Sequence, residues 1–186
     1  MFVVKDIYEA TYEVKKSKFI SYLLPIDEFK TLHDKLRLKH PKARHIVWAY
    51  RKLNDLDQIV ENSTDDAEPK GAAGVPTLNV LRGNDLINSA ILSVRYFGGI
   101  KLGVGGMVRA YTNAAKNTLE KAKLIKYEKK QKINFQTTYK VAKQYEHFFD
   151  SLEIKYDRVF ESDGIKWSVN LSDEELKEYL KRFKTS

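Results

Sequence analysis

The chain has 186 residues, with 33 Lys and Arg against 25 Asp and Glu, no Cys and 42% hydrophobic residues. That length fits one large domain or two small ones, the apolar share excludes a disordered polyampholyte, and no apolar run approaches the roughly 18 residues of a membrane helix. Without Cys there are no disulfides and no thiol chemistry, and Lys5-Asp6 end the first apolar stretch too early for a signal peptide, so a cytoplasmic protein with no membrane role is expected. In chain order, Ile7 to Val14 and Lys18 to Leu24 are rich in β-branched and aromatic residues. They read as two strands of a hairpin turning at Lys15-Lys16-Ser17. Pro25 closes the second strand. A helix follows from Asp27, carrying Phe29, Leu32 and Leu36 at spacings of three and four, and Pro41 ends it. His45 to Arg51 predicts a third strand, and residues 53–76 predict a long loop of the kind that often carries function. Thr77 to Leu81 and Ala90 to Tyr96 predict two more strands. A turn holding Gly98, Gly99, Gly103, Gly105 and Gly106 then leads into a helix from about Val108 to Ala122. The charged run 126–132 has no core face and marks a linker. Beyond it the pattern predicts strand 133–139, helix 141–152, strands 154–161 and 164–171 meeting at Asp163-Gly164, and helix 173–183. Ser172 and Glu175 form a capping box for that last helix. The boundaries are 1–127 for a first domain and 133–186 for a small second one of β-α-β-β-α order. The second reads as a split βαβ arrangement lacking its last strand.

The charge is divided unevenly. Residues 1–130 hold 23 basic and 15 acidic side chains, whereas 131–186 hold 10 of each. The whole positive excess therefore belongs to the first part, which suggests an anionic partner there. Three groups could carry chemistry. The first is Arg95-Tyr96-Phe97-Gly98-Gly99-Ile100-Lys101-Leu102-Gly103-Val104-Gly105-Gly106 ahead of a helix. Glycines let main-chain N–H groups face an anion, the helix start adds free amides, and Arg95, Lys101 and Arg109 add charge. No Lys-Ser/Thr follows the glycines, so this is not a Walker A loop. The anion or nucleic-acid site expected from this pattern comprises Arg44, Lys70, Arg95, Tyr96, Gly98, Gly99, Lys101, Gly103, Gly105, Gly106 and Arg109. The second group is Asp65, Asp66 and Glu68. These could hold Mg²⁺ or serve acid–base work, or else cap a turn, with Glu68 paired to Arg44 or Arg95. The third is Arg44-His45, whose histidine is expected at a core edge making hydrogen bonds, while His33, His40 and His147 make no ligand spacing. Of the aromatics near the glycines, Phe97 is expected inside and either Tyr96 or Tyr111 at the surface, where a ring could stack on a base. No catalytic residue, metal-ligand set or cofactor is assigned.

Arg44-His45 with Trp48 to Arg51, Asp65 to Pro76, and Arg95 to Tyr111 together resemble the bacterial, YigZ-like branch of the IMPACT family, and Ser17-Lys18-Phe19-Ile20 fits as well. The resemblance implies an α+β protein. Its first domain would have the left-handed β-α-β fold of domain IV of elongation factor G, and its second would be a small ferredoxin-like domain. It also implies a link to translation, since eukaryotic relatives act in translational control during amino-acid starvation, near ribosomes, through an additional domain missing here. The acidic loop departs from the family's Asp-Gly-Glu-Pro-Ser-Gly-Thr-Ala-Gly at Ala67, Lys70 and Ala72. Two hydroxyls are lost and one cation is gained. The function expected is that of a non-enzymatic, ribosome-associated or RNA-binding protein, a regulator of translation that holds phosphates at the basic glycine-rich loop. The alternatives are an enzyme acting on a phosphorylated small molecule or nucleotide at the same loop, and a module docking an acidic protein partner.

Overall fold

The structure, a computed structural model, describes residues 1–183. The chain forms two compact units, Met1–Tyr127 and Glu128–Ser186. The first contains β1 (Phe2–Val3), β2 (Tyr8–Val14), β3 (Ser17–Pro25), α1 (Phe29–Lys39), β4 (His45–Leu53), β5 (Ile59–Thr64), α2 (Gly74–Gly83), β6 (Ser89–Tyr96), α3 (Val104–Glu120) and β7 (Ile125–Lys126). Five of its strands form an antiparallel sheet in the order β2-β3-β6-β4-β5, and β1 pairs with β7.

The central strand β6 is covered on both faces, as its near-continuous run Ser-Ala-Ile-Leu-Ser-Val-Arg requires. Ala90, Leu92 and Val94 pack with Tyr22, Ile46 and α1's Leu36 on one face. Ile91, Leu23 and Ala49 pack with Leu78, Val80 and Leu81 of α2 and Ala115 of α3 on the other. The connections β3-α1-β4 and β5-α2-β6 each pass over one intervening antiparallel strand. They run in opposite senses along oppositely directed strands, so a half-turn about the sheet normal superimposes their paths. Their helices, however, lie on opposite faces. The two crossovers are therefore of opposite hand, and one of them is the left-handed kind that chain twist ordinarily disfavours. The α+β class and the β-α-β architecture expected from the resemblance are what the chain adopts.

Two sequence expectations need correcting. Residues 77–81 are not a strand but part of α2, because Gly74, Thr77, Leu78 and Leu81 share one buried helical face. The supposed loop 53–76 contains β5, paired with β4 from Trp48↔Thr64 to Leu53↔Ile59. In the second unit, β8 (Lys130–Thr137), β10 (Gly164–Ser172) and β9 (Tyr156–Glu161) form an antiparallel sheet in that order, with α4 (Ala142–Ser151) between β8 and β9 in the chain and α5 (Asp173–Phe183) after β10. Its core is aromatic, with Phe149, Trp167 and Tyr179 buried. The Ser172–Glu175 capping box forms in both directions, at 2.6 and 3.2 Å. Among the described residues, no helix is long and apolar enough to cross a membrane.

Candidate functional site

Sheet register places Phe19 of β3, Arg95 of β6 and His45 of β4 side by side on the face covered by α2 and α3. Arg95 sits at the end of the central strand and is only 6% exposed. Its Nη1 donates to both oxygens of Glu68 at 2.6 and 2.8 Å, and the guanidinium lies 5.6 Å from the ring centre of Phe19 and 5.8 Å from that of Phe97. The Tyr111 hydroxyl donates to Glu68 Oε1 at 2.8 Å. Burial, and then the neighbouring carboxylate, push its pKa far up, so it stays a donor. His45 Nε2 stands 4.0 Å from Glu68 Oε2, while its Nδ1 contacts the Asp66 carbonyl oxygen at 2.7 Å. Because a carbonyl can only accept, Nδ1 carries a proton and donates to it.

The three loop carboxylates serve three separate duties. Asp65 accepts from the amides of Gly71 (2.8 Å), Ala73 (3.0 Å) and Gly74 (2.8 Å), thereby capping α2 from nine residues upstream. Burial raises its pKa, but those three amides outweigh burial and hold the carboxyl below its ordinary value. Asp66 Oδ2 accepts from the Ile46 amide at 2.7 Å, and its Oδ1 is 3.6 Å from Arg37. Glu68 neutralises Arg95. Among the described residues no group of three His, Cys, Asp or Glu side chains is arranged to hold a metal ion.

Above the Arg95–Glu68 pair opens a cavity of about 380 Å³, with Arg44 and Lys101 among its lining and Pro69, Leu102, Val104 and Met107 supplying apolar wall. The cations of the expected site are thus divided. Arg95 is buried and paired. Arg44 and Lys101 are exposed at the cavity, and Lys70 is exposed on the acidic loop. Arg109 lies in a neighbouring depression of about 150 Å³ with Tyr12, Val14 and Gly106. Tyr96 does not join them. Alternation along β6 turns it to the α1 face, where its hydroxyl is 2.9 Å from His40 Nδ1. The aromatic expectation is reversed: Phe97 is 56% exposed, and Tyr111 is fully buried against Glu68.

The glycines divide in the same way. A Cβ on Gly98 would come within 2.0 Å of the Lys16 main chain, and its amide already donates to Ser17 Oγ at 3.1 Å. Gly98 is therefore demanded by the close approach of the β2–β3 turn. Gly99 and Gly103 have φ of +85° and +71°, conformations that L side chains rarely adopt. The α3 ladder begins with Met107 N–H to the Gly103 carbonyl, so the amides of Val104, Gly105 and Gly106 precede it. Sequence reasoning did not find the apolar wall or the Tyr111–Glu68 bond. The β6 alternation, Ser93 and Arg95 against Val94 and Tyr96, was the available signal for separating Tyr96 from the site.

The sequence model of the Impact N-terminal domain matches residues 15–119. An IMPACT family member of Haemophilus influenzae is 40% identical over 111 residues, covering 58% of this chain and 54% of that protein. YvyE of Bacillus subtilis, of the same family, is 40% identical over 113 residues, covering 59% and 51%. The matched region thus spans about half the length of each relative. A crystal structure of a hypothetical protein superposes with a TM-score of 0.70 at 26% identity, covering 97% of this chain and 89% of that one.

Proposed function

The chain belongs to the IMPACT family, and from that premise we propose that it is a non-enzymatic, cytoplasmic regulator of translation whose first unit binds RNA, on the ribosome or near it, through phosphates. One observation carries this reading. Arg44, Lys70, Lys101 and Arg109 are all exposed around the start of α3 and the acidic loop, and none has a carboxylate within ion-pair distance among the described residues. Cations left unpaired beside a row of free helix amides favour an anion over a neutral ligand. The positive excess of residues 1–130 supplies the longer-range attraction.

An enzyme using the loop carboxylates for Mg²⁺ or as a base is disfavoured by their occupancy: Asp65 by three amides, Asp66 by the β4 main chain, Glu68 by Arg95 and Tyr111. The test is the salt dependence of binding to ribosomal RNA fragments and to single strands. Each lost phosphate contact on a single strand removes about 0.7 from the slope of log K against log salt. Arg44→Glu/Lys101→Glu should therefore lower the slope by about 1.4 and weaken binding at every salt concentration. Affinity indifferent to salt, or a double variant matching the parent, would overturn the reading. Retention of an acidic protein in its place would favour protein docking.

A further inference from the structure

We propose that the β2–β3 turn is a further phosphate site: Lys15, beside Arg109, and Lys16 take phosphates of the strand whose others meet Arg44 and Lys101. The proposal deepens the RNA-binding reading and rests on it for the identity of that strand. β2 and β3 close at the pair Val14↔Ser17, so the loop between them is the dipeptide Lys15-Lys16. Both lysines lie in the left-handed region, with φ of +46° and +64°. A two-residue turn of this kind matches the twist of a hairpin, and its usual occupants are Asn-Gly, Asp-Gly or Gly-Gly, because few side chains tolerate positive φ at both positions. Two lysines are a costly choice there, and nothing within the chain repays it. Both are exposed, and neither side chain makes a hydrogen bond, ion pair or ring contact among the described residues. Glu13, on the adjacent rung of the hairpin, stands 4.0 Å from Lys18 instead. Strained main chain that carries side chains without internal partners points to a partner from outside.

The turn is also fixed beside the glycine-rich loop, since Gly98 packs on the Lys16 main chain too closely to admit a Cβ. Lys15 and Arg109 line the depression of about 150 Å³, and Leu102 lines both it and the larger cavity where Arg44 and Lys101 sit. The two groups of cations are thus neighbours across one side chain. Like charges gathered without a carboxylate repel one another, and an anion among them removes that cost. The ligand's class follows from sign and size. The depression is smaller than the ~300–1,000 Å³ of pockets that enclose a whole small molecule, so it suits a phosphate group and not a base. Lysine meets phosphate as a point charge on a flexible stem, which fits successive phosphates of a strand that is itself flexible.

One substitution separates binding from folding. Lys15→Asn/Lys16→Gly installs the dipeptide that this turn prefers and should raise the thermal midpoint of the first unit by about 4 °C. In the same variant the slope of log K against log salt for single-stranded RNA should fall by about 1.4, at about 0.7 for each lost contact. Lys143→Gln/Lys155→Gln removes two exposed cations of the second unit and should leave the slope at the parent's value. A lower midpoint in the turn variant, a slope change below about 0.7, or an equal fall in the second-unit control overturns the assignment. A second measurement needs no RNA. Sodium tripolyphosphate added to the ¹⁵N-labelled full chain should shift the amide signals of Lys15 and Lys16 and the Arg109 Nε–Hε signal together with the amide of Lys101. Turn signals that stay in place sink the site. A slope lost in Arg44→Glu/Lys101→Glu but kept in the turn variant would end the phosphate track at Leu102 and leave the RNA reading standing. Tripolyphosphate shifts at the turn of a chain that ignores RNA would keep the phosphate site and remove the RNA reading.

Discussion

Asp65 is where the acidic loop and α2 become one structure, because a single carboxylate takes three main-chain amides. Asp65→Ala leaves those donors open and is expected to destabilise the first unit by about 1–2 kcal/mol, as the loss of a strong helix cap does. The pH dependence has a definite sign. The folded carboxyl is held below its ordinary value, near 3.8, so the unfolded chain takes up the proton first. Its contribution is complete above that ordinary value and drains away as the pH falls through the lowered one. Thermal unfolding between pH 5 and 2.5 should accordingly show a shallower acid limb in Asp65→Ala than in the parent; parallel curves would refute the role. Glu68 acts at the same scale with more at stake. Glu68→Ala strands a buried guanidinium and should cost about 3–5 kcal/mol. Glu68→Ala/Arg95→Met should recover a large part of that loss, which a double-mutant cycle in urea would measure. The sequence reading had Glu68 against Arg44 or Arg95, and an aspartate capping a turn. Which arginine, and which aspartate, depends on strand register, and composition does not carry that information.

At the scale of elements, what was legible had local causes. The β2–β3 hairpin, α1, β4, β6 and the second unit's elements carry their own periodicity, turn residues and caps, and they form near where that chemistry puts them. α2 was missed because Thr77-Leu78-Asn79-Val80-Leu81 alternates like a strand, while its cap is Asp65, separated from it in sequence. β5 was missed because Ile59 to Thr64 is a half-exposed edge strand with weak apolar alternation. The glycine-rich turn was legible as a turn but not by function, since one residue type answers several needs. Two substitutions separate those needs. Gly98→Ala drives a Cβ into the Lys16 main chain and should cost about 1–3 kcal/mol by overpacking. Gly105→Ala, in the first turn of α3 with only the Arg109 guanidinium at 3.6 Å, should stabilise by up to about 0.5–1 kcal/mol through reduced freedom of the unfolded chain. Denaturant midpoints of the two variants should move in opposite directions; a shared direction would mean that the turn is not built as described.

For the whole molecule, the division into Met1–Tyr127 and Glu128–Ser186 carries a thermodynamic consequence. Each unit has its own core: helices over both faces of a five-stranded sheet in the first, an aromatic cluster under a three-stranded sheet in the second. The chain also has two tryptophans, and each unit holds one. Trp48 stacks on Tyr50 at 5.7 Å in the first unit, and Trp167 donates to Thr137 Oγ1 at 2.8 Å in the core of the second. Trp48→Phe therefore leaves a fluorophore that reports only the second unit, and Trp167→Phe leaves one that reports only the first. Each substitution perturbs the unit that its remaining tryptophan does not observe. The smaller unit exposes less surface on unfolding, so the urea transition seen through Trp167 should have the lower m-value, because that slope scales with surface released. Its midpoint should also differ from the one seen through Trp48, since a short chain buries a smaller fraction of its surface and its stability is set by different contacts. Matching midpoints and slopes in the two variants would show one cooperative transition. The two cores would then be thermodynamically a single body.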